Sequence, residues 1–367
     1  MAREELAAWL RLLLTPGVGN ESARKLLAAF GLPTAVFAQS ASALQAVVSQ
    51  RLASALLCTP DHLDAEVEKV EQWLATADRH LLTLGDADFP PALLQMADPP
   101  LMLYVAGQLT ALAQPNKIAI VGSRNPTPQG QINARQFAAA LGESGLCIVS
   151  GMALGVDGAA HEGALDVGAT TIAVVGTGLD RVYPKRHHDL AHRIAAEGGA
   201  IVSEYPLGTP PLPAHFPQRN RIIAGLCQGT LVIEAAVASG SLITARLATE
   251  MGREVFAIPG SIHAPQARGC HALIRQGAKL VESAQDVLED LQLGPASPAI
   301  FENNEGETPA DPDGLLKAMG FDPVSLDALQ ARTGLNTATL QAKLFELELQ
   351  GDVGRLPGGL LQRTAQS

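Results

Sequence analysis

A short basic and aromatic stretch, HFPQRNRIIAG at residues 215–225, carries the most evident binding chemistry in this sequence. Arg219 and Arg221 each offer a guanidinium group, which forms paired hydrogen bonds with phosphate, and Asn220 adds an amide. Phe216 adds an aromatic face on which a nucleobase can stack. The apolar residues that follow predict a helix anchored in a core, from which both arginines face outward. The stretch therefore predicts one wall of an anion-binding groove.

Further turns with related chemistry follow other apolar runs of the sequence. Glycine lets a ligand approach the backbone, serine supplies a hydroxyl group, and a cation or a helix N-terminus attracts an anion. The residues concerned are Gly122, Ser123, Arg124, Gly155, Lys185, Ser239, Gly240 and Ser241. Several such turns at one edge of a sheet predict an extended groove for a repeated phosphate backbone, rather than a pocket for a single phosphate.

Other interpretations of these residues stay open at the level of the sequence. Either arginine of the basic stretch could pair with Glu204 or Glu234, although two arginines more easily leave one positive charge free. His161 could act as a general base, or it could have a packing or capping role. His188 and His192 have the i, i+4 spacing of a metal-binding pair, but the one neighbouring carboxylate points to a different face. We therefore expect neither a metal nor a cofactor.

Six short apolar runs alternate with helical stretches between residues 117 and 260. Continuous apolar strands separated by helices predict a parallel sheet covered on both faces, which is a doubly wound, Rossmann-like α/β fold. The predicted strands are KIAIVG (117–122), CIVSG (147–151), TIAVVGTG (171–178), AIVSEY (200–205), TLVIEA (230–235) and EVFAIPG (254–260). Ligands of such folds bind beyond the carboxyl ends of the strands, where the glycine and serine turns lie.

The sequence on either side of this α/β region has a different character. Residues 1–80 space their apolar positions by three to four, which predicts an all-helical, SAM-like domain, and the turn TPGVG suits a helix-hairpin-helix. Residues 81–293 then form the Rossmann-like domain with its entry segment. Residues 294–312, rich in proline, glycine and acid, predict a linker. Residues 313–367 contain three short helical stretches and a hairpin, which predict a winged helix.

Charge is unevenly distributed along the chain, whose net charge is −11. Residues 117–275 carry 13 basic and 11 acidic side chains, so the acidic excess lies in the flanks. A nearly neutral region still binds an anion if its cations converge on one face. Residues 309–367 carry 5 basic and 7 acidic side chains, which favours a protein contact over duplex DNA for the winged helix. For the helix-hairpin-helix, DNA contact and a structural or protein-contact role stay equally open.

Hydropathy and cysteine usage indicate the compartment. No uncharged apolar run reaches the roughly 18 residues of a transmembrane helix, and the first residues do not resemble a signal peptide. The four cysteines are scattered without a CxxC pair, which predicts reduced thiols rather than disulfides or a metal site. We therefore expect a cytoplasmic protein without membrane contact.

As a set, several stretches resemble the DNA-processing protein A family (DprA, also called Smf). They are VGSRNPTPQG, SGMALGVDGAAHEGAL, GTGLDRVYPK, FPQRNRIIAG, EAAVASGSLITA, PGSI and GCHALIRQGAKLV, which span about residues 117–282. The resemblance implies a protein that is not an enzyme and that binds single-stranded DNA without sequence preference. It further implies that the protein protects incoming strands and helps to load the RecA recombinase during natural transformation. The implied DNA contacts fall on Ser123, Arg124, Lys185, Phe216, Arg219, Asn220, Arg221, Ser239, Gly240 and Ser241.

The same resemblance implies a homodimer. Its interface falls on GCHALIRQGAKL, notably on His271, Leu273, Ile274 and Leu280. Burial in a symmetric contact suits a short apolar stretch near the end of a sheet. Simple core packing is the alternative for these side chains.

An enzyme is the rival interpretation. The α/β region also resembles the lysine-decarboxylase-like phosphoribohydrolases, which cleave nucleoside monophosphates and carry PGGxGT before a catalytic glutamate. In the corresponding stretch, GLCQGTLVIEA, Glu234 remains, but the residues at 226–228 replace the Pro-Gly-Gly turn that shapes a nucleotide pocket. A nicotinamide-dependent oxidoreductase is disfavoured, because the GxGxxG fingerprint is absent from the sequence.

Overall fold

A nine-stranded sheet forms the centre of the computed structural model, which describes residues 1–294 and 314–364. Its strands are β1 (Arg79–Thr83), β2 (Met102–Gly107), β3 (Lys117–Val121), β4 (Cys147–Ser150), β5 (Thr171–Val174), β6 (Ala200–Ser203), β7 (Gly229–Val232), β8 (Glu254–Ala257) and β9 (Lys279–Leu280). The order across the sheet is β1-β2-β6-β5-β4-β3-β7-β8-β9, and β3 to β9 run parallel. All six predicted strands and the Rossmann-like fold class are confirmed.

The apolar strands divide their side chains between two cores, as a sheet covered on both faces requires. On β3, Ile118 and Ile120 belong to one core, whereas Ala119 and Val121 belong to the other. Because both faces are apolar, β3 shows no polar alternation, which is why its sequence is a continuous hydrophobic run.

Six helices precede the sheet: α1 (Arg3–Leu14), α2 (Asn20–Phe30), α3 (Pro33–Phe37), α4 (Ala41–Gln45), α5 (Gln50–Leu57) and α6 (Leu63–Leu74). They confirm the predicted helical N-terminal region. Their core also takes in side chains of β1 and β2, and the ring of Trp73 meets the edge of Tyr104 at 5.8 Å. The two strands, which the sequence analysis did not predict, therefore join the helices to the sheet. The proposed boundary at residue 80 stays a prediction.

Nine helices accompany the central sheet: α7 (Pro91–Leu94), α8 (Leu109–Ala113), α9 (Pro128–Glu143), α10 (Val156–Asp166), α11 (His188–Ala196), α12 (His215–Leu226), α13 (Ser241–Glu250), α14 (Arg268–Arg275) and α15 (Ala284–Asp290). Helices α9, α10 and α15 cover one face, and α12 and α13 cover the other. Among the described residues, the helices are all too short or too polar to cross a lipid bilayer.

The C-terminal elements form a separate small core. They are α16 (Leu315–Met319), β10 (Val324–Ser325), α17 (Leu326–Thr333), α18 (Thr337–Gln350), β11 (Val353–Leu356) and β12 (Leu360–Arg363). Three helices and a three-stranded antiparallel sheet make the predicted winged helix. The predicted linker at 294–312 lies outside the described residues except for its first residue.

The strand order determines where along the edge of the sheet a ligand can bind. The chain proceeds from β3 through β4 and β5 to β6 on one side, and then returns to place β7 on the opposite side of β3. At such a switch point, the loops after the two strands diverge and leave a crevice at their carboxyl ends. The loops after β3 and β7 are those that contain Ser123 and Ser239.

Candidate nucleic-acid interface

The turn after β3 is held in place by a buried carboxylate. Thr127 caps α9, its hydroxyl oxygen accepting a hydrogen bond from the Gly130 amide at 3.0 Å. The Thr127 amide and hydroxyl donate to the two carboxylate oxygens of Glu234, at 2.9 and 2.6 Å. Burial raises the pKa of Glu234, and the hydrogen bonds from Thr127 oppose that shift. Glu234 therefore ties the turn to the end of β7.

Gly155 supports the same turn from the side of α10. It is the N-cap of α10 with φ at +82°, and a Cβ atom there would lie 2.5 Å from the Ser123 carbonyl oxygen. The next amide, that of Val156, donates to this oxygen at 3.1 Å. Only glycine suits both the left-handed conformation and this close approach. Gly155 therefore shapes the predicted groove without lining it.

Arg124 and Phe216 stand together at the mouth of the crevice. The Arg124 side chain is exposed, and its guanidinium carbon lies 5.6 Å from the centroid of the Phe216 ring. The ring of Tyr183, which is 47% exposed, lies 5.8 Å from that of Phe216. Lys185 follows in an exposed 3₁₀ turn, Lys185–His187, close in sequence to Tyr183. An exposed cation and two neighbouring aromatic rings therefore stand together at this rim.

Arg219 does not face outward, and this part of the prediction is wrong. The residue is 4% exposed, and its guanidinium donates a hydrogen bond to the Val174 carbonyl at the end of β5. Burial lowers the pKa of Arg219 to about 10, against the opposing influence of Asp157, so the group stays cationic at neutral pH. The reason is helical geometry, because position 219 shares the inward face of α12 with Ile222 and Ile223, three and four residues later.

Arg221 does not face the groove either. Its guanidinium pairs with Glu204 and lies 3.4 Å from a carboxylate oxygen of Asp98, with 12% of the side chain exposed. Burial raises the pKa of Glu204, and Arg221 opposes that shift. Of the two interpretations left open by the sequence, the salt bridge to Glu204 is therefore correct for this residue. The pair lines a neighbouring cleft of about 640 Å³.

The loop after β7 brings two serines to the crevice, Ser239 and Ser241. The hydroxyl groups of Ser239 and Ser241 lie 2.7 Å apart, and the Ser241 amide donates to the Ser239 hydroxyl at 3.3 Å. Asn220 donates from its amide group to the Gly240 carbonyl at 3.3 Å, which ties α12 to this loop. A Cβ atom on Gly240 would meet nothing within 4 Å, so the backbone there is open to a ligand.

These elements enclose one cleft of about 630 Å³ at the carboxyl ends of β3 and β7. The predicted residues that line it are Gly122, Ser123, Arg124, Phe216, Arg219, Asn220, Ser239, Gly240 and Ser241. Tyr183 also lines it and was not selected from the sequence, although its place two residues before Lys185 was a usable signal. Gly155, Lys185 and Arg221 lie outside the lining.

The histidines considered in the sequence analysis lie away from this cleft. His161 is fully buried, its Nδ1 atom 2.7 Å from the Thr171 hydroxyl, and burial lowers its pKa to about 3. His161 therefore packs. His188 and His192 lie on the exposed side of α11 with their Nε2 atoms 3.3 Å apart. Within residues 1–294 and 314–364, no group of three or more potential metal ligands comes together.

The predicted dimer segment falls on α14 and β9, and its side chains have different environments. Leu273 is 9% exposed and packs into the central core. The Nε2 atom of His271 lies 2.9 Å from the Gly260 carbonyl oxygen. Ile274 is half-buried, whereas Leu280 is 49% exposed. Core packing is therefore correct for Leu273, and the interface itself stays a prediction.

Comparison with known proteins shows the family to which the chain belongs. The model of DNA recombination-mediator protein A matches residues 80–292, and that of the DprA winged helix domain matches residues 301–359. Protein Smf of Escherichia coli K12 is 40% identical over 330 residues, which cover 88% of each chain. The chain belongs to the DprA/Smf family. All the residues that line the cleft lie within the part matched by the recombination-mediator model.

Two solved DprA structures superpose on large parts of this chain. The crystal structure of DprA from Streptococcus pneumoniae superposes with a TM-score of 0.62 at 38% identity, covering 79% of this chain and 98% of that one. A structure of DprA from Helicobacter pylori, described for its single-stranded DNA binding mode, gives a TM-score of 0.53 at 34% identity, covering 58% of this chain and 96% of that one. The chain is thus a DprA-family recombination mediator with a Rossmann-like domain and a winged helix.

Proposed function

We propose that this protein binds single-stranded DNA in the cleft between the ends of β3 and β7. The observation that carries the proposal is the pairing of exposed Arg124 with the Phe216 ring at the mouth of that cleft, 5.6 Å from guanidinium to ring centroid. A cation beside an aromatic face suits a phosphate next to an unstacked base. The similarity to the Helicobacter pylori protein, described for its single-stranded DNA binding, supports the same assignment.

Each predicted site residue receives a role in this proposal. Arg124 and Lys185 contact phosphates. Phe216 and Tyr183 stack with bases. Hydroxyl, amide and backbone groups that line the cleft donate to phosphate or base edges, and they belong to Gly122, Ser123, Asn220, Ser239, Gly240 and Ser241. Arg219 forms part of the floor of the cleft, Arg221 anchors α12 through Glu204, and Gly155 shapes the turn after β3.

We further propose that the protein acts in the cytoplasm as a homodimer that protects incoming single strands and helps to load RecA during natural transformation. Membership of the DprA/Smf family of recombination mediators supports this role. For the winged helix we propose a protein contact, because the outer face of α18 exposes Phe345 (58%) and Leu349 (74%). An exposed apolar face suits a protein partner better than a DNA groove.

The geometry of Glu234 disfavours the phosphoribohydrolase alternative. A catalytic carboxylate needs free oxygen atoms facing the substrate, whereas both oxygens of Glu234 accept hydrogen bonds from Thr127. Gly130 lies so close that a Cβ atom there would meet the carboxylate group. Glu234 is therefore a structural clamp in this proposal, and the protein is not an enzyme.

Replacement of Arg124 tests the proposal. Arg124→Ala removes one phosphate contact, so we expect oligo-dT affinity to fall about 10-fold. The slope of log affinity against log salt should also decrease, by about 0.7. Fluorescence anisotropy with labelled oligo-dT at two salt concentrations measures both quantities.

Arg193→Ala serves as the control, since this arginine pairs with Glu197 on the exposed side of α11. Oligo-dT binding that is unchanged in Arg124→Ala, or equally reduced in both variants, contradicts the assignment of the cleft. Release of adenine from AMP by the wild-type protein would restore the enzyme alternative.

A further inference from the structure

Three loops around the cleft each carry an exposed aliphatic residue to which the proposed function assigns no role. They are Leu154 after β4, Leu212 before α12 and Val237 after β7, with exposed fractions of 36%, 46% and 68%. Their sequence neighbours line the cleft: Ala153, Pro211, Pro213, Ala236 and Ala238. The three aliphatic residues, called here the rim aliphatics, do not line the cleft themselves, but their neighbours place them at its edge.

The loops that carry the rim aliphatics are fixed by hydrogen bonds and backbone stiffness. The Leu212 carbonyl accepts from the His215 amide at 3.0 Å, and a proline lies on each side of Leu212. The Ala236 carbonyl, next to Val237, accepts from the Ser239 amide at 2.9 Å. Single exposed aliphatic residues are ordinary on protein surfaces. Next to Leu154, the Ala153 amide donates to a carboxylate oxygen of Asp157 at 3.1 Å. Three exposed aliphatic residues on separate, fixed loops around one cleft form a pattern that calls for a ligand with apolar surface.

The surroundings of the rim aliphatics indicate the chemistry of that ligand. Exposed cations, Arg124 and Lys185, lie on the intervening loops of the same sheet edge. Along the sheet edge, the loops after β6, β4 and β7 carry the rim aliphatics, and the loops after β5 and β3, which lie between them, carry the two cations. The aliphatic residues are therefore spaced apart, unlike the continuous apolar patches that proteins recognise. A ligand that alternates anionic groups with flat apolar rings matches this alternation. Single-stranded DNA has that chemistry, whereas a duplex hides its base faces in the stack.

We propose that Leu154, Leu212 and Val237 contact the faces of unpaired bases and supply the part of the affinity that distinguishes a single strand from a duplex. This inference rests on the proposed single-stranded DNA binding. The cations then set how strongly the phosphate backbone is held, and the rim aliphatics set how much binding depends on accessible bases.

The test compares three ligands of equal length: oligo-dT, an abasic strand with the same phosphates, and a duplex. The variants are Leu212→Ser and Val237→Ser, each in the full chain. We expect oligo-dT affinity to fall about 5-fold in each variant, while affinity for the abasic strand and the salt slope stay as in the wild type. The preference for oligo-dT over the duplex should fall by the same factor.

Leu32→Ser is the matched control, because Leu32 is 54% exposed and lies before α3, in the helical N-terminal region. It should change no affinity. Because the rim aliphatics are exposed, the variants should melt within a few degrees of the wild type. An equal loss of oligo-dT and abasic binding overturns the inference, as does an unchanged oligo-dT affinity in both variants. Loss of RecA binding with intact DNA binding would instead assign the rim to a protein partner.

The proposed function fails in a different way from this inference. If the wild-type protein does not bind oligo-dT at all, the single-stranded DNA assignment is wrong. If the wild type prefers oligo-dT to the abasic strand and the two variants keep that preference, only the assignment of the rim aliphatics is wrong.

Discussion

Arg124, Arg219 and Arg221 carry the same guanidinium group, yet their surroundings give them three different tasks. Arg124 is exposed beside an aromatic ring, Arg219 is almost fully buried in the floor of the cleft, and Arg221 is held by Glu204. A count of cations in the sequence therefore overstates the charge that a ligand meets. Of the exposed cations, Arg124 lines the cleft, and Lys185 lies two residues after Tyr183, which also lines it.

Arg219 should matter for stability more than Arg124 does. Arg219→Met leaves the Val174 carbonyl without its donor and removes the positive charge that faces buried Asp157, so we expect a loss of about 2 kcal/mol in the free energy of unfolding. Arg124→Ala, at an exposed position, should change that free energy by less than about 0.5 kcal/mol. Urea unfolding measures both. A stable Arg219→Met variant with lost DNA binding would make Arg219 a direct ligand contact instead.

The sequence contained part of this distinction. Arg219 precedes two buried isoleucines by three and four residues, which places it on the inward face of the helix. Its partner at Val174 comes from a strand 45 residues away and could not be deduced from spacing. The pairing of Arg221 with Glu204 was one of two open alternatives, since only the packed structure decides which carboxylate lies within reach.

At the scale of elements, the turn after β3 depends on a carboxylate from another strand. We expect Glu234→Ala to free the Thr127 amide and hydroxyl, to destabilise the protein by about 1–3 kcal/mol and to weaken oligo-dT binding about 5-fold. Glu234→Gln keeps one accepting oxygen and a group that can donate to the Thr127 hydroxyl, so it should retain most of both. Thermal unfolding and anisotropy titrations separate the two variants. Equal, complete loss of function in both would suggest that the carboxylate acts chemically.

Strands could be predicted from the sequence where both faces are buried, because such strands are continuous apolar runs, as in β3 and β7. β1 and β2 escaped prediction because β2 pairs antiparallel with β6, a segment nearly 100 residues away, and β1 joins the sheet only through β2. β9 has two residues, which is too short for any sequence pattern. The loops that contribute to the cleft could therefore be predicted from the sequence. The orientation of the side chains that form its walls could not, because it depends on tertiary packing.

At the scale of the whole molecule, the proposed homodimer predicts different effects of substitution at the two leucines of the predicted interface. Leu280→Glu should abolish dimers without unfolding the chain, since Leu280 is exposed, whereas Leu273 belongs to the core and any charge there should unfold the domain. Light scattering after size-exclusion chromatography measures the mass, with Leu57→Glu, of similar exposure, as the control. A wild-type protein that is monomeric at micromolar concentration contradicts the dimer.

The two-residue length of β9 also limits how copies of the chain can meet. An exposed edge strand can recruit a second chain through its free backbone groups, and long flat edges lead to aggregation. β9 offers only Lys279 and Leu280, and Lys279 is held by Glu254 and by Asp290 at 3.4 and 2.7 Å. An intermolecular sheet that continues through two copies is therefore disfavoured on this side. Association there would depend on side chains alone, so it could be tuned or reversed by single substitutions without creating a polymer.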